Sequence, residues 1–491
     1  MKQSSEERAL YYRQIRQSLH NVLRPELTSA QANDTVALID RLLAEFIVEE
    51  EAGSALSATY GQRLAALVDG ADGATDVVIG PVGFADLERR AAQCVANSVG
   101  DNEAMKRDLP HALFAVERDF FEEVDALRQQ VLSEELRDGE PVTDNGCSIT
   151  NEELTAYLRE RFSDDPDGRV VQATVIPGGR SKETILVKLE GFSHLPEEII
   201  VRKDRPVGLL ETRAADEYAV IKAVFEYGGV AIPEPFFAEE SSAMLGAGTA
   251  LVMARVQGTK AGEFFPDLAQ PSEYRVEIGR DIAANLARLH SLPLERLGDA
   301  GLDPSGAEVT NESVLGAVDA MAARITELSG PALATVPLAR QWLHDHVDDV
   351  VPANRSCLLQ GDFGFHNMLI DGPNVTALVD WEAATIGPPA RELASAWNAA
   401  TSLMPWSQFV AAYTAGGGVP KDADPRAVNY YRVFLALGGL MTSKTGGHLF
   451  RSGTKRDLLT AHSGLDSFFR CARNLVRALA DAMATDGRTA R

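Results

Sequence analysis

The stretch Leu358-Leu359-Gln360-Gly361-Asp362-Phe363-Gly364-Phe365-His366-Asn367-Met368-Leu369-Ile370, followed by Ala377-Leu378-Val379-Asp380-Trp381-Glu382, decides how the chain is read. An Asp and an Asn stand five residues apart on a short loop between apolar segments. Thirteen residues beyond that Asn, a second Asp closes a short apolar strand. Singly, Asp362 reads as a turn or helix-cap residue, Asn367 as a turn residue and Asp380 as a strand end. Jointly they form a set that phosphoryl transfer needs. One carboxylate orients an attacking hydroxyl, while a second carboxylate and a neutral amide oxygen hold Mg²⁺ on nucleotide phosphates.

Upstream of this stretch the chain changes character twice. Val170 to Ile176, Thr184 to Leu189 and Glu198 to Arg202 are β-rich runs, the first two separated by the turn Pro177-Gly178-Gly179-Arg180-Ser181. A helix is predicted over Thr212 to Tyr227 and another strand over Ala250 to Val256. After Gly258 the pattern is mostly helical. Ile278, Ile282, Leu286 and Leu289 share one side of a helix predicted over Tyr274 to Ser291.

The first 150 residues read as all-helical. Tyr12, Ile15, Leu19 and Val22 recur at helical spacing, as do Ile39, Leu42, Leu43 and Phe46 after Asp34 as an N-cap. Leu113, Val116, Phe120, Val124, Leu127 and Val131 define an apolar stripe on a long helix. A polar linker runs from Glu134 to Asn151, and helix Glu152 to Phe162 follows it. The domains are therefore 1–140, a helical N-terminal domain; 152–257, a small β-rich lobe; and 258–485, a helical lobe with the catalytic loop. Residues 1–140 read as a bundle packed on the next domain, with a protein-partner or homo-oligomer surface as the alternative.

The 491 residues carry 47 basic and 71 acidic side chains, a net charge of −24 that argues against a whole-protein grip on nucleic acid or an anionic membrane. The charged N-terminus lacks the apolar core of a secretory signal, and no apolar run is long enough to span a bilayer. Cys94, Cys147, Cys357 and Cys471 lie far apart without a CxxC pair, which fits a reducing, cytoplasmic setting and offers no zinc site. His344 and His346, two apart on a predicted helix, do not face one another and are rejected as a metal pair.

The loop GDxxxxN and the later hydrophobic-hydrophobic-Asp-Trp-Glu resemble the signature of aminoglycoside phosphotransferase and choline kinase-like enzymes. The likeness is greatest to the branch found in some acyl-CoA dehydrogenase fusion proteins. It covers roughly Glu152 onward and implies an α+β, protein-kinase-like fold of two lobes. It also implies transfer of the γ-phosphate of ATP to the hydroxyl of a small molecule, with Mg²⁺. By this resemblance Asp362 is the catalytic carboxylate, and Asn367 and Asp380 are the metal ligands. Gly178, Gly179 and Ser181 cover the phosphates, Arg202 contacts them, and Glu217 pairs with Arg202. The segment Met253 to Val256 is the hinge that receives adenine.

Two departures from the family pattern stand out. Gln360 occupies the usual His position, and Glu392 replaces an Asp whose role is to buttress the catalytic loop. Gln can both donate and accept hydrogen bonds. His366 reads as a loop or substrate-facing residue, and His290 as structural. Trp397, Trp406, Tyr430 and Tyr431 line a pocket or belong to the core. The acceptors implied are aminoglycosides, choline-like amino alcohols, sugars or hydroxyacyl thioesters. The alternative is a catalytically silent kinase-like module whose helical segment recruits a partner.

Overall fold

The computed structural model describes residues 5–19, 30–51, 59–60, 62–63, 105–133, 149–176, 182–204, 213–240, 249–262, 274–298, 300–302, 309–328, 333–350, 355–452, 454, 458–461, 464 and 467–485. Among the described residues, helices α1 (Ser5–Ser18), α2 (Ala30–Glu51) and α3 (Met105–Ser133) precede the lobes. Helix α4 (Asn151–Arg161) opens the small lobe, where the Thr150 hydroxyl accepts from Glu153 N–H and the Glu153 carboxylate accepts from Thr150 N–H. Strands β1 (Arg169–Ile176), β2 (Lys182–Glu190) and β3 (Glu198–Asp204), helix α5 (Ala214–Tyr227), and strands β4 (Pro235–Glu239) and β5 (Ala250–Ala254) follow. All neighbouring strands of this sheet are antiparallel, in the order β1-β2-β3-β5-β4.

The large lobe contains β6 (Thr259–Lys260), α6 (Arg275–Leu289), α7 (Asn311–Glu327), α8 (Thr335–Asp345), β7 (Cys357–Leu359), β8 (Met368–Asp371), β9 (Asn374–Leu378), β10 (Thr385–Gly387), α9 (Pro389–Leu403), α10 (Trp406–Ala415), α11 (Pro425–Arg451), α12 (Leu458–Ala461) and α13 (Ser467–Thr485). This is the expected α+β, kinase-like arrangement. No helix among the described residues is long and apolar enough to cross a membrane.

The central strand β3 shows why the sheet sits where it does. Ile199 and Val201 join Ile185, Val187 and Val252 in the core beneath α4. Ile200 points the other way and joins Leu251, Met253 and the α5 residues Val220 and Val224 in the main core. The two-residue period thus buries both faces of β3. It also sends Arg202 to the α5 side, while Lys203 pairs with Glu183 across the β2–β3 ladder. β3 runs two residues past Arg202, to Asp204.

Several boundaries move. α2 begins at Ala30, so Asp34 lies inside the helix rather than capping it. α5 starts at Ala214, and β5 ends at Ala254. α6 keeps Ile278, Ile282, Leu286 and Leu289 buried on one side, as predicted.

On α3 the most buried line is Phe114, Glu117, Phe121, Val124, Arg128 and Val131. Val124 and Val131 belong to the predicted stripe, while Val116, Phe120 and Leu127 lie beside it, partly buried. Phe114 and Phe121 enter the core of the large lobe. Glu117, fully buried, accepts from the Ala334 and Thr335 N–H groups and from the Thr335 hydroxyl, and so caps the start of α8. Burial pushes its carboxyl up to about 7 against those donors.

Candidate active site

Four strands deliver the site residues at their ends. β7 stops at Leu359, just before Gln360, and β8 starts at Met368, just after Asn367. β9 stops at Leu378, and β10 begins at Thr385, so Asp380, Trp381 and Glu382 lie on the turn between them. β10 pairs antiparallel with β7, and β8 pairs with both β9 and β6. The loop 360–367 and the turn 379–384 are thereby held side by side. The Val379 N–H donates to Asn367 O at 3.0 Å.

Gln360 joins them directly. Its Nε2 donates to Val379 O at 3.1 Å and to Asp380 O at 2.6 Å, and its Oε1 accepts from Asp362 N–H at 2.9 Å. The residue that departs from the family pattern is therefore fully engaged. Asp380 has φ +61°, the one non-glycine residue with positive φ among the described residues. Such a backbone is costly and persists where its surroundings enforce it. Here Gln360 holds its carbonyl, and the next side chain, Trp381, is buried with Nε1 donating to Leu378 O at 3.1 Å.

Gly361 has φ +89°, and a Cβ there would sit 2.0 Å from Ala383 O, so this position needs glycine. Its N–H donates to Glu392 Oε1 at 2.9 Å. Glu392 thus reaches the loop as the shorter Asp of the family does in the resemblance, and its Oε2 lies 3.2 Å from His290 Nε2. His290 Nδ1 meets the Tyr413 hydroxyl at 3.0 Å, which donates to Asp422 at 2.8 Å, and Arg355 closes the chain on Asp422 and on His290 O. His290 is structural, as expected.

Asp362, Asn367 and Asp380 are brought together. Asn367 Nδ2 donates to Asp362 O at 2.9 Å and to Asp362 Oδ2 at 3.0 Å. With its nitrogen so used, the amide presents its oxygen as a ligand atom. Arg202 crosses between the lobes. Its guanidinium bonds Asp380 Oδ1, and its Nε lies 3.3 Å from Glu217 Oε1. Burial opposes the charge on Arg202, but Glu217, Asp380 and Glu382 together hold it more firmly protonated than usual. Burial pushes the Glu217 carboxyl up to about 7, against the pull of Arg202.

Carboxylate oxygens of Glu217, Asp380 and Glu382 lie within 4.8 Å of one another. Glu217 and Asp380 of this group also face Arg202, and hard oxygen donors of this kind suit a divalent cation such as Mg²⁺. Glu382 was not singled out as a candidate in the sequence. The signal was available, because it stands two residues after Asp380 in the same motif.

Met253 is buried in the core, so any adenine contact there is through backbone. The Ala254 N–H is taken by Glu234 O at 2.8 Å, and Arg255 pairs with Glu198 at 2.6 Å. Val256 is next in line. Gly178, Gly179 and Ser181 lie outside the described residues. Tyr430 and Tyr431 are core residues, and Trp397 lies under the Arg432 guanidinium and packs tilted against Trp406. His344 bonds Asp319, and His346 bonds Trp342 O, so they form no pair. His366 is not a bystander of the loop. It touches Asp362, with Nε2 and Oδ2 2.9 Å apart.

Comparison with known proteins finds relatives by sequence and by fold. Acyl-CoA dehydrogenase family member 11 of Rattus norvegicus is 29% identical over 252 residues, which is 49% of this chain and 30% of that protein. The Mus musculus protein of that name is 25% identical over 360 residues, 67% of this chain and 42% of that protein. The chain thus spans less than half the length of these relatives. A solved structure from Ralstonia eutropha JMP134, described as a putative aminoglycoside phosphotransferase, has the same fold, with a TM-score of 0.51 at 16% identity. It is matched over 68% of this chain and 99% of its own. The model of the phosphotransferase enzyme family matches residues 172–431, over half of the sequence and the whole of the loop just described, and the chain belongs to that family.

Proposed function

We propose that this protein transfers the γ-phosphate of ATP to a hydroxyl of a small molecule, with Mg²⁺. The observation that carries the reading is the convergence of Asp362, Asn367 and Asp380 through Gln360, with Arg202 reaching across from the small lobe to Asp380. Mg²⁺, when bound, neutralises charge on the phosphates. Asn367 Oδ1, Asp380 and Glu382 are the residues to hold it. Glu217 stays with Arg202 as its counter-ion, since both are buried.

The roles of the chain's own groups follow. Asp362 has a half-exposed side chain at the mouth of the loop and orients the acceptor hydroxyl, taking its proton as the bond to phosphorus forms. The Arg202 fork contacts phosphate oxygens. Adenine lies against the hinge 253–256, and the turn with Gly178, Gly179 and Ser181 covers the phosphates. Catalysis is then mainly positioning and electrostatic stabilisation.

Calorimetry of Mg²⁺·ATP binding to the wild type and Asp380→Ala tests this. Mg²⁺-dependent binding that the variant loses supports the reading and justifies a screen of amino sugars, amino alcohols, sugars and hydroxyacyl thioesters. A folded wild type that binds no nucleotide overturns it in favour of the silent module. The bonds made by Gln360 weigh against that module, because the substitution that motivated it leaves the loop tied to Asp380.

A further inference from the structure

We infer that His366 is a positioning residue of the phosphotransfer site, fixing the Asp362 carboxylate in the orientation that receives the acceptor hydroxyl. The inference rests on the reading of Asp362 given above. Two donors converge on one oxygen of that carboxylate: His366 Nε2 at 2.9 Å and Asn367 Nδ2 at 3.0 Å, both on Oδ2. Donors on a single oxygen fix the plane of the carboxylate and direct Oδ1 away from them. Asn367 also serves Asp362 O and is assigned to the metal, so it shares its attention. His366 supplies the bond that belongs to the carboxylate.

A second observation shows that the loop is shaped around this imidazole. A Cβ placed on Gly364 would lie 2.8 Å from both Cε1 and Nδ1 of His366. The ring therefore lies over a glycine that leaves it room. The short 3₁₀ turn Phe365–Asn367, anchored by the buried Phe365, sets His366 and Asn367 one after the other toward Asp362. Exposure divides the labour. The Asp362 side chain is 44% exposed and meets the acceptor, while that of His366 is 17% exposed and stands behind it. A misplacement of about 1 Å at a reacting group can cost roughly a hundredfold in rate.

The test compares wild type, His366→Ala, His366→Gln and Gly364→Ala by Mg²⁺·ATP calorimetry and by ATP turnover with water as acceptor. The expected result is a kcat lower by about 10- to 100-fold in His366→Ala and Gly364→Ala, with KM and Kd for ATP within about twofold of wild type. His366→Gln, which keeps a donor at the same reach, recovers most of the loss. Unchanged kcat in His366→Ala, equal loss of kcat and ATP affinity, or no recovery with Gln overturns the inference. Where hydrolysis by the wild type is too slow to read, thermal melts of His366→Ala, Asp362→Asn and the double variant report the contact. Additive effects overturn the inference, and coupling between the sites supports it. A wild type that binds no ATP instead overturns the parent reading, which this comparison tells apart.

Discussion

The Nε2 of Gln360 stands 2.6 Å from the backbone carbonyl of Asp380, a residue whose φ of +61° puts it in a costly conformation. The same side chain accepts from Asp362 N–H. One amide therefore sets the distance between the candidate base and the candidate metal ligand. Gln360→Ala removes three bonds from a buried position, and a loss of about 2–3 kcal/mol is expected at roughly 1 kcal/mol per bond. Mg²⁺·ATP affinity should fall by about tenfold or more as Asp380 relaxes. Gln360→His keeps a donor and should hold affinity within a few-fold. Calorimetry and melting of both variants check this, and an alanine variant that behaves as wild type would contradict it.

Arg202 is the cation between Glu217 and Asp380, and its side chain is 10% exposed. Arg202→Met strands a buried carboxylate, and such losses run to about 3–5 kcal/mol. Because the Glu217 carboxyl already sits near 7, its protonation should soften the damage at pH 6 relative to pH 8. Adding Glu217→Gln should restore much of the stability. Denaturant unfolding of the single and double variants at both pH values measures the effect. A double variant no better than Arg202→Met would show that the pairing is not what Arg202 supplies.

Glu117 gives a pH dependence with a defined sign. Its carboxyl titrates at about 7 in the folded protein and near 4.5 in the unfolded chain, so the folded form binds the extra proton between those values. Stability should fall as pH rises from 4.5 to 7 and level off above. The total is about 3 kcal/mol from this group, at 1.36 kcal/mol per unit. Glu117→Gln should show a shallower slope over that window, read from melts at pH 5 and pH 8. Parallel slopes for the two proteins would exclude Glu117 as the source.

Gly361→Ala should be among the most damaging single-methyl changes. The added carbon meets a backbone oxygen, Ala383 O, at a φ of +89°. Neither problem is relieved by turning a side chain. A fall of more than about 2 kcal/mol is expected, with loss of ATP binding. A variant that melts within a degree of wild type would refute this account of the turn.

The core of the site was legible because its spacing is local. Asp362, Asn367 and Asp380 lie on two short segments, and strand alternation alone sends Arg202 and Lys203 to opposite faces. Other features had no local signal. Glu117 is satisfied by a helix start more than two hundred residues away. A reading of apolar periodicity passes over it and over Arg128, although both lie on the buried line of α3. The contact of His366 with Asp362 depends on a three-residue 3₁₀ turn, which residue type does not reveal. Asp34 looked like a cap because it precedes an apolar pattern, but helix α2 had already begun.

The burial of α3 bears on where this protein can be cut. The family match runs from residue 172, inside β1, to residue 431, inside α11. A fragment with those ends would sever a strand and a helix, and strip Glu117 from the amides of Ala334 and Thr335. It would also lose both Phe121 and Phe469 of α13, which meet at the edge of the main core. Shared ancestry is thus written over a shorter span than cooperative folding. A stably folded fragment will need α3 and α13 at its borders, although the family match leaves both out.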